Sequence, residues 1–206
     1  MKRKLMTGSL AALLFAAALP MTALAARGEW IQQNGTWRFR YSDGTLAMDE
    51  WKQSGNDWFY LDENGVMAVN SLIETDDDYY FVNGGGARIM NEWRQTMNED
   101  GEVRWYYFGP NGKARKASSS GNVSTVEIND KRYAFDGEGR MLYGWVKADS
   151  PELMDEDDEN AWAEADYYFG GPEDGAAAVG WRQLDVVDDD DDCTYWFYFG
   201  TNEKKN

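Results

Sequence analysis

The chain has no histidine and one cysteine, Cys193, among 206 residues. Without histidine there is no Ser-His-Asp or Cys-His catalysis and no histidine-ligated zinc. One cysteine allows neither a disulfide framework nor a cysteine-cluster metal site. Cys193 follows the run Asp188 to Asp192, whose negative charge disfavours a thiolate, so a nucleophilic role is not expected. Basic residues are also scarce: 20 Lys+Arg stand against 37 Asp+Glu, a formal net charge of −17. Such a surface repels nucleic acid and anionic lipid headgroups and attracts cations. Paired carboxylates for glycoside hydrolysis exist in any chain this acidic. Yet the repeats described below leave no stretch long enough for a catalytic domain, so no enzymatic activity, cofactor or metal is expected.

Long apolar runs are confined to one place. Lys2, Arg3 and Lys4 precede an unbroken apolar segment from Leu10 to Leu19, then Pro20, then the small-residue pattern Ala23-Leu24-Ala25. That order predicts a secretory signal peptide over residues 1–25, with an uncleaved N-terminal membrane anchor as the alternative. Its apolar core is shorter than the ~20 residues that span a bilayer. The mature chain, 26–206, is therefore expected to be secreted, without membrane insertion, and to rely on packing because it has no internal disulfide.

What is abundant is aromatic: 10 Trp, 12 Tyr and 9 Phe, with 21 Gly. These residues recur with a period. Trp30, Trp51, Leu72 and Trp93 are 21 residues apart, and Trp37, Trp58 and Tyr79 follow the first three by seven. Gly44, Gly65 and Gly86 come seven further on, each closing a turn. Later copies keep the aromatic strand: Trp105-Tyr106-Tyr107-Phe108, Arg132-Tyr133-Ala134-Phe135, Asp166-Tyr167-Tyr168-Phe169 and Trp196-Phe197-Tyr198-Phe199. Trp145 and Trp181 open the sixth and seventh copies. The Ser-rich segment from Lys116 to Ile128 lacks an opening Trp and reads as an irregular joint.

Each copy predicts a β-hairpin. Aromatic runs favour strands, and Asp43-Gly44, Asn64-Gly65, Asn111-Gly112 and Asp174-Gly175 favour a tight turn. A lone hairpin is marginal in water, so the units must stack to bury a shared core. The expected fold is all-β, an elongated β-solenoid of tandem β-hairpin repeats, with about seven units and the last truncated after its aromatic strand. Two acidic insertions, Met154 to Asn160 and Asp188 to Asp192, read as solvated tips of lengthened hairpins. Calcium binding is the sharper alternative, but neither run has the ligand spacing of a calcium loop.

Rings on several sides of a small hollow suit a quaternary ammonium ion, which has no hydrogen-bond donor and is attracted to negative ring faces. The same rings can also be core. The pattern Gly-Trp, a Gly or Asp turn, Trp-Tyr-Tyr-Phe and Asn-Gly resembles the choline-binding or cell-wall-binding repeats of Gram-positive bacteria, from Trp30 to Asn202. The resemblance implies choline seated between neighbouring hairpins in a cage of the opening Trp, the first strand Trp and an aromatic of the next repeat. Carried over, the ligand-binding residues are Trp30, Trp37 and Tyr60 for one site and Trp51, Trp58 and Phe81 for a second. Trp93 and Trp105 form a third pair, whose matching ring is lost at Ala134. Leu72 and Asp166 replace cage tryptophans elsewhere. The implied partner is choline-decorated teichoic acid, and the implied location is extracellular and cell-wall associated. Related glucan-binding repeats use similar hairpins for sugars, so a cell-surface polysaccharide is the alternative partner. A homodimer through the C-terminal end is a further expectation.

Overall fold

The structure, a computed structural model, describes residues 28–206 apart from 77, 98–100 and 155–157. The predicted signal peptide lies outside the described residues, as does the centre of the first acidic insertion. Among the described residues, seven antiparallel hairpins follow one another. They are β1 (Gly28–Gln33) with β2 (Thr36–Tyr41), β3 (Glu50–Ser54) with β4 (Asp57–Leu61), β5 (Ser71–Thr75) with β6 (Asp78–Val82), and β7 (Glu92–Met97) with β8 (Val103–Phe108). The last three are β9 (Val126–Ile128) with β10 (Lys131–Tyr133), β11 (Trp145–Val146) with β12 (Tyr167–Tyr168), and β13 (Gly180–Asp188) with β14 (Asp191–Phe199). The segment read as a joint thus ends in a hairpin strand of its own. Among the described residues the only α-helix is one turn, α1 (Ala161–Glu164), and no helix is long and apolar enough to cross a membrane.

Register is constant. Each opening residue faces the third residue of the aromatic strand: Trp30 opposite Phe39, Trp51 opposite Tyr60, Leu72 opposite Phe81, Trp93 opposite Tyr107, Trp145 opposite Tyr168 and Trp181 opposite Tyr198. The fourth residue points the other way into the stack. Leu61, Val82, Phe108, Phe169 and Phe199 are fully buried there and Phe135 is 2% exposed, so this column is the spine of the solenoid. Period-two alternation on a strand is the cause.

The four Asx-Gly pairs singled out in the sequence do not make the hairpin turns. Three of those turns are Asn34-Gly35 (φ 52° and 80°), Asn129-Asp130 (51° and 62°) and Asp189-Asp190 (52° and 65°), with both central residues left-handed as a type I′ turn needs. Asp43-Gly44, Asn64-Gly65, Asn111-Gly112 and Asp174-Gly175 instead follow the second strand. There they turn the chain back, in the first, second and fourth units into a single bridge such as Leu61 to Met67 or Phe108 to Ala114. Both reversals need a residue at positive φ, so the same dipeptide chemistry serves either and composition cannot tell them apart. Asp62, Asn83 and Asp136 rigidify the second reversal by accepting backbone N–H bonds two and four residues on, at 2.8–3.1 Å. The seventh unit, expected to break off after its aromatic strand, carries this reversal too, with Phe199 bridged to Lys205.

One hydrogen bond per step ties unit to unit. The residue after each second reversal donates its N–H to the carbonyl of the first aromatic-strand residue in the preceding unit. The pairs are Met67 to Trp37, Arg88 to Trp58, Ala114 to Tyr79, Met141 to Trp105 and Ala177 to Arg132, all at 2.8 Å, and Lys205 to Asp166 at 2.6 Å. These six bonds carry the side chain of the bridging residue into the groove between successive hairpins.

Candidate ligand cages

Six grooves follow from this register, each built from four chain positions. The opening residue and the first aromatic-strand residue lie on one face of a hairpin. The second aromatic-strand residue of the next hairpin comes from the opposite side, and the bridging residue forms the floor.

The first groove brings together Trp30, Trp37, Phe59 and Met67. Trp30 packs edge-on against Phe59 at 5.4 Å and against Phe39 of its own hairpin at 5.5 Å, while Trp37 is 43% exposed. The third wall is Phe59 and not Tyr60. A slip of one residue along a strand moves the side chain to the other face, and Tyr60 looks away from the first groove. It packs instead on Trp51 at 5.2 Å and donates its hydroxyl to Asp49. Burial, reinforced by the Asp49 carboxylate, pushes that phenol up to about 12.

The same slip recurs in the second groove, formed by Trp51, Trp58, Tyr80 and Arg88. Trp51 meets Tyr80 at 5.2 Å. Phe81 is buried against Ile89, Tyr106 and Phe108, in the core rather than in the groove. The Arg88 guanidinium carbon lies 5.7 Å from the ring centroids of Trp51, Trp58 and Tyr80 alike.

The fourth groove is complete where the sequence suggested a missing wall. Trp93 meets Tyr133 at 4.8 Å, Trp105 at 6.5 Å and Tyr107 at 5.2 Å. Met141, 4% exposed, is its floor. Ala134 is the third residue of its strand and faces the core with Leu142 and Val146, so its lack of a ring costs the groove nothing. Glu173 accepts a 3.3 Å hydrogen bond from the Trp105 indole and so sets a carboxylate at the rim.

The remaining grooves differ. In the third, Leu72, Tyr79 and Tyr106 pack together over Ala114. An adjoining cavity of about 780 Å³ is lined by Arg94, Arg104 and Arg140. The fifth has Arg132 and Tyr167 with Ala177 and no opening Trp. The sixth has Trp145 against Phe197 at 5.1 Å, Asp166 in place of the strand Trp, and the Lys205 ammonium 5.6 Å from the Trp145 ring. Lys205 also donates to the carbonyls of Trp162 and Ala163. Burial holds its pKa below the ordinary lysine value, against the pull of Asp166. A cavity of about 950 Å³ opens beside this groove, between Trp145, Trp162 and Val186. Trp181 and Trp196 of the last hairpin are each 62% exposed.

Sequence reasoning thus found the paired tryptophans but missed Phe59, Tyr80, Tyr133 and Phe197 as facing walls and Met67, Arg88, Met141 and Lys205 as floors. The alternation rule held the signal for the walls, because units that stack front to back must meet through residues of opposite parity. The floors were marked by their place two residues after the turn-closing glycine in the first, second and fourth grooves.

Comparison with known proteins agrees with this geometry. The family model of the choline-binding type, described as a cell wall binding repeat, matches residues 49–67 and 104–114. No curated protein matches the chain. Among solved structures, the modular autolysin LytC of Streptococcus pneumoniae is 24% identical with a TM-score of 0.56, covering 86% of this chain and 32% of that one. Choline binding protein F of the same organism is 19% identical with a TM-score of 0.53, covering 86% of this chain and 51% of that one. CbpJ, also from Streptococcus pneumoniae, is 18% identical with a TM-score of 0.55, covering 87% and 52%. The chain therefore spans between a third and about half the length of these proteins, and they share its hairpin solenoid fold. The chain thus carries two segments that match the cell wall binding repeat, within a hairpin solenoid of the fold seen in choline binding protein F and CbpJ.

Proposed function

We propose that the chain is a non-catalytic binding module that attaches to the bacterial surface outside the cell by seating choline headgroups of teichoic acid in its aromatic cages. The carrying observation is the recurrence, 63 or more residues apart, of one constellation: two tryptophans of one hairpin, a ring of the next and a methionine floor, at Trp30-Trp37-Phe59-Met67 and Trp93-Trp105-Tyr133-Met141. Ring faces attract a quaternary ammonium, and the thioether supplies a polarisable, uncharged floor that does not repel it. Each cation–π contact contributes about 0.5–2 kcal/mol, so three give roughly millimolar affinity. Two such cages on one rod become effective on a polymer that repeats the headgroup. The acidic surface adds a long-range attraction for cations.

A titration of tryptophan fluorescence with choline, and in parallel with dextran, tests this. Saturable quenching by choline, diminished in Trp37→Ala and again in Trp105→Ala, is the expected result. A response to dextran alone would replace the choline assignment with a polysaccharide one. The open indoles of Trp181 and Trp196, whose one ring contact among the described residues is Trp181 with Tyr198 of the same hairpin at 5.2 Å, favour that second reading for the last hairpin. The same exposed face could pair with a second copy, and sedimentation of the chain distinguishes one copy from two.

A further inference from the structure

We infer that Arg88 is an internal ligand of the second cage, and that the bridging residue of each groove decides whether that groove accepts an external cation. This rests on the choline reading of the cages proposed above. Trp51, Trp58 and Tyr80 reproduce the walls of the first and fourth cages, yet the space among them holds the guanidinium at the same 5.7 Å from every ring. Its Nε is buried and makes no hydrogen bond among the described residues, while three ring faces lie about the guanidinium carbon. Its stem is held from behind: a Cβ at Gly112 would sit 2.7 Å from Nε and 2.9 Å from Cδ. Its backbone is fixed by the bond to Trp58 and the bridge to Val82. An ammonium ligand and the guanidinium cannot share the hollow, because both fill it and their charges repel at contact distance.

The sixth groove repeats the device in a different form. Lys205 stands at the bridging position and its ammonium lies over Trp145, with Asp166 where a cage tryptophan would be. Methionine at the same position, Met67 and Met141, carries no charge and leaves the attraction of the rings for a ligand. The pattern assigns two receptive cages, one and four, and one cage, the second, that is fully walled but closed by the chain itself. Arg88 is thus a specificity-determining residue that sets ligand stoichiometry, and the occupied cage stiffens the joint between the second and third hairpins.

The test is calorimetric titration of the full chain with choline chloride, comparing wild type, Arg88→Met and Arg88→Met/Trp58→Ala. Arg88→Met installs the residue already found at Met67 and Met141, so the fold is expected to persist, which circular dichroism checks. The expected result is one additional site in Arg88→Met, abolished again in Arg88→Met/Trp58→Ala. Unchanged stoichiometry in folded Arg88→Met, with wild type still binding, overturns the role of Arg88 and leaves the choline reading standing. Binding in Arg88→Met but not in wild type supports the role of Arg88. Absence of binding in both overturns the two together. A ligand-free readout stands beside these: the Arg88 side-chain N–H resonance of wild type should show a ring-current displacement that diminishes in Trp51→Ala. A resonance at the position of a solvated arginine overturns the internal-ligand geometry.

Discussion

Replacing Trp93 and Trp105 separately by alanine distinguishes the two tasks that tryptophan performs in the fourth cage. Both indoles are half-buried against Ile128, Phe135 and Met141, but their surroundings differ. Trp93 sits among four rings: Trp105 at 6.5 Å, Tyr107 at 5.2 Å, Tyr133 at 4.8 Å and Phe135 at 5.9 Å. Aromatic pairs contribute about 0.5–1.5 kcal/mol each beyond area burial, and truncating a core tryptophan costs about 3–5 kcal/mol. Trp105 keeps one of those ring pairs and an exposed 3.3 Å hydrogen bond to Glu173, so its loss should cost about 1–2 kcal/mol. With a urea dependence of roughly 1–3 kcal/mol per molar, the difference between the variants is on the order of 1 M in the unfolding midpoint. Urea titration followed by far-UV circular dichroism reads this without relying on the altered fluorophores. On choline binding the order reverses for the folded variant: Trp105→Ala should keep the fold and weaken the fourth site by about 2- to 30-fold, the loss of one cation–π wall. Equal midpoints for the two variants, or wild-type affinity of the fourth site in Trp105→Ala, would refute the division into structural and ligand-facing indoles.

Three further outcomes follow from local geometry. Gly175→Ala should be more destabilising than Gly35→Ala. Both residues have positive φ, which costs alanine about 1–2 kcal/mol, but a Cβ at Gly175 also falls 2.3 Å from the Met141 sulfur while Gly35 faces open space. Thermal unfolding checks this, and Met141→Ala should partly rescue Gly175→Ala. Tyr60, 7% exposed, should make stability fall at high pH. Its folded pKa of about 12 lies above the unfolded 10, so a contribution of about 2–3 kcal/mol is present in full below pH 10 and lost as pH rises towards 12. Midpoints measured across that window should fall less steeply in Tyr60→Phe, although Tyr79, Tyr106, Tyr167 and Tyr168 are shifted upward too and leave a residual slope. Finally, Asp136→Ala should cost about 2–4 kcal/mol. It removes a buried carboxylate that accepts the N–H groups of Glu138 and Arg140 at 2.9 and 2.8 Å and the Arg140 guanidinium at 2.5 Å. Hydrogen exchange should show the loosening at the fifth unit first.

Much of the architecture was written in the period. Three copies of a strand in strict spacing allow only a stack of hairpins, because no single hairpin buries enough to fold alone. The paired tryptophans of the first, second and fourth units could be named from sequence, since opening and strand positions belong to one hairpin whose register is local. The turns could be counted but not placed, because Asn34-Gly35 and Asn64-Gly65 share one chemistry and serve different reversals.

The composition and spacing alone determined an all-β repeat with aromatic grooves and no histidine or cysteine chemistry. Only the tertiary structure decided what fills those grooves. A wall from the next unit, Phe59 rather than Tyr60 or Tyr133 rather than Ala134, depends on which faces of two hairpins meet, and one residue of register inverts the answer. The floor depends on the inter-unit hydrogen bonds that carry Met67 and Met141 into two cages and Arg88 and Lys205 into two others. Linear sequence records those four residues as unremarkable members of a turn. Their position over the rings is a property of the stacked solenoid, where the same backbone bond that holds two hairpins together also chooses between an open cage and a closed one.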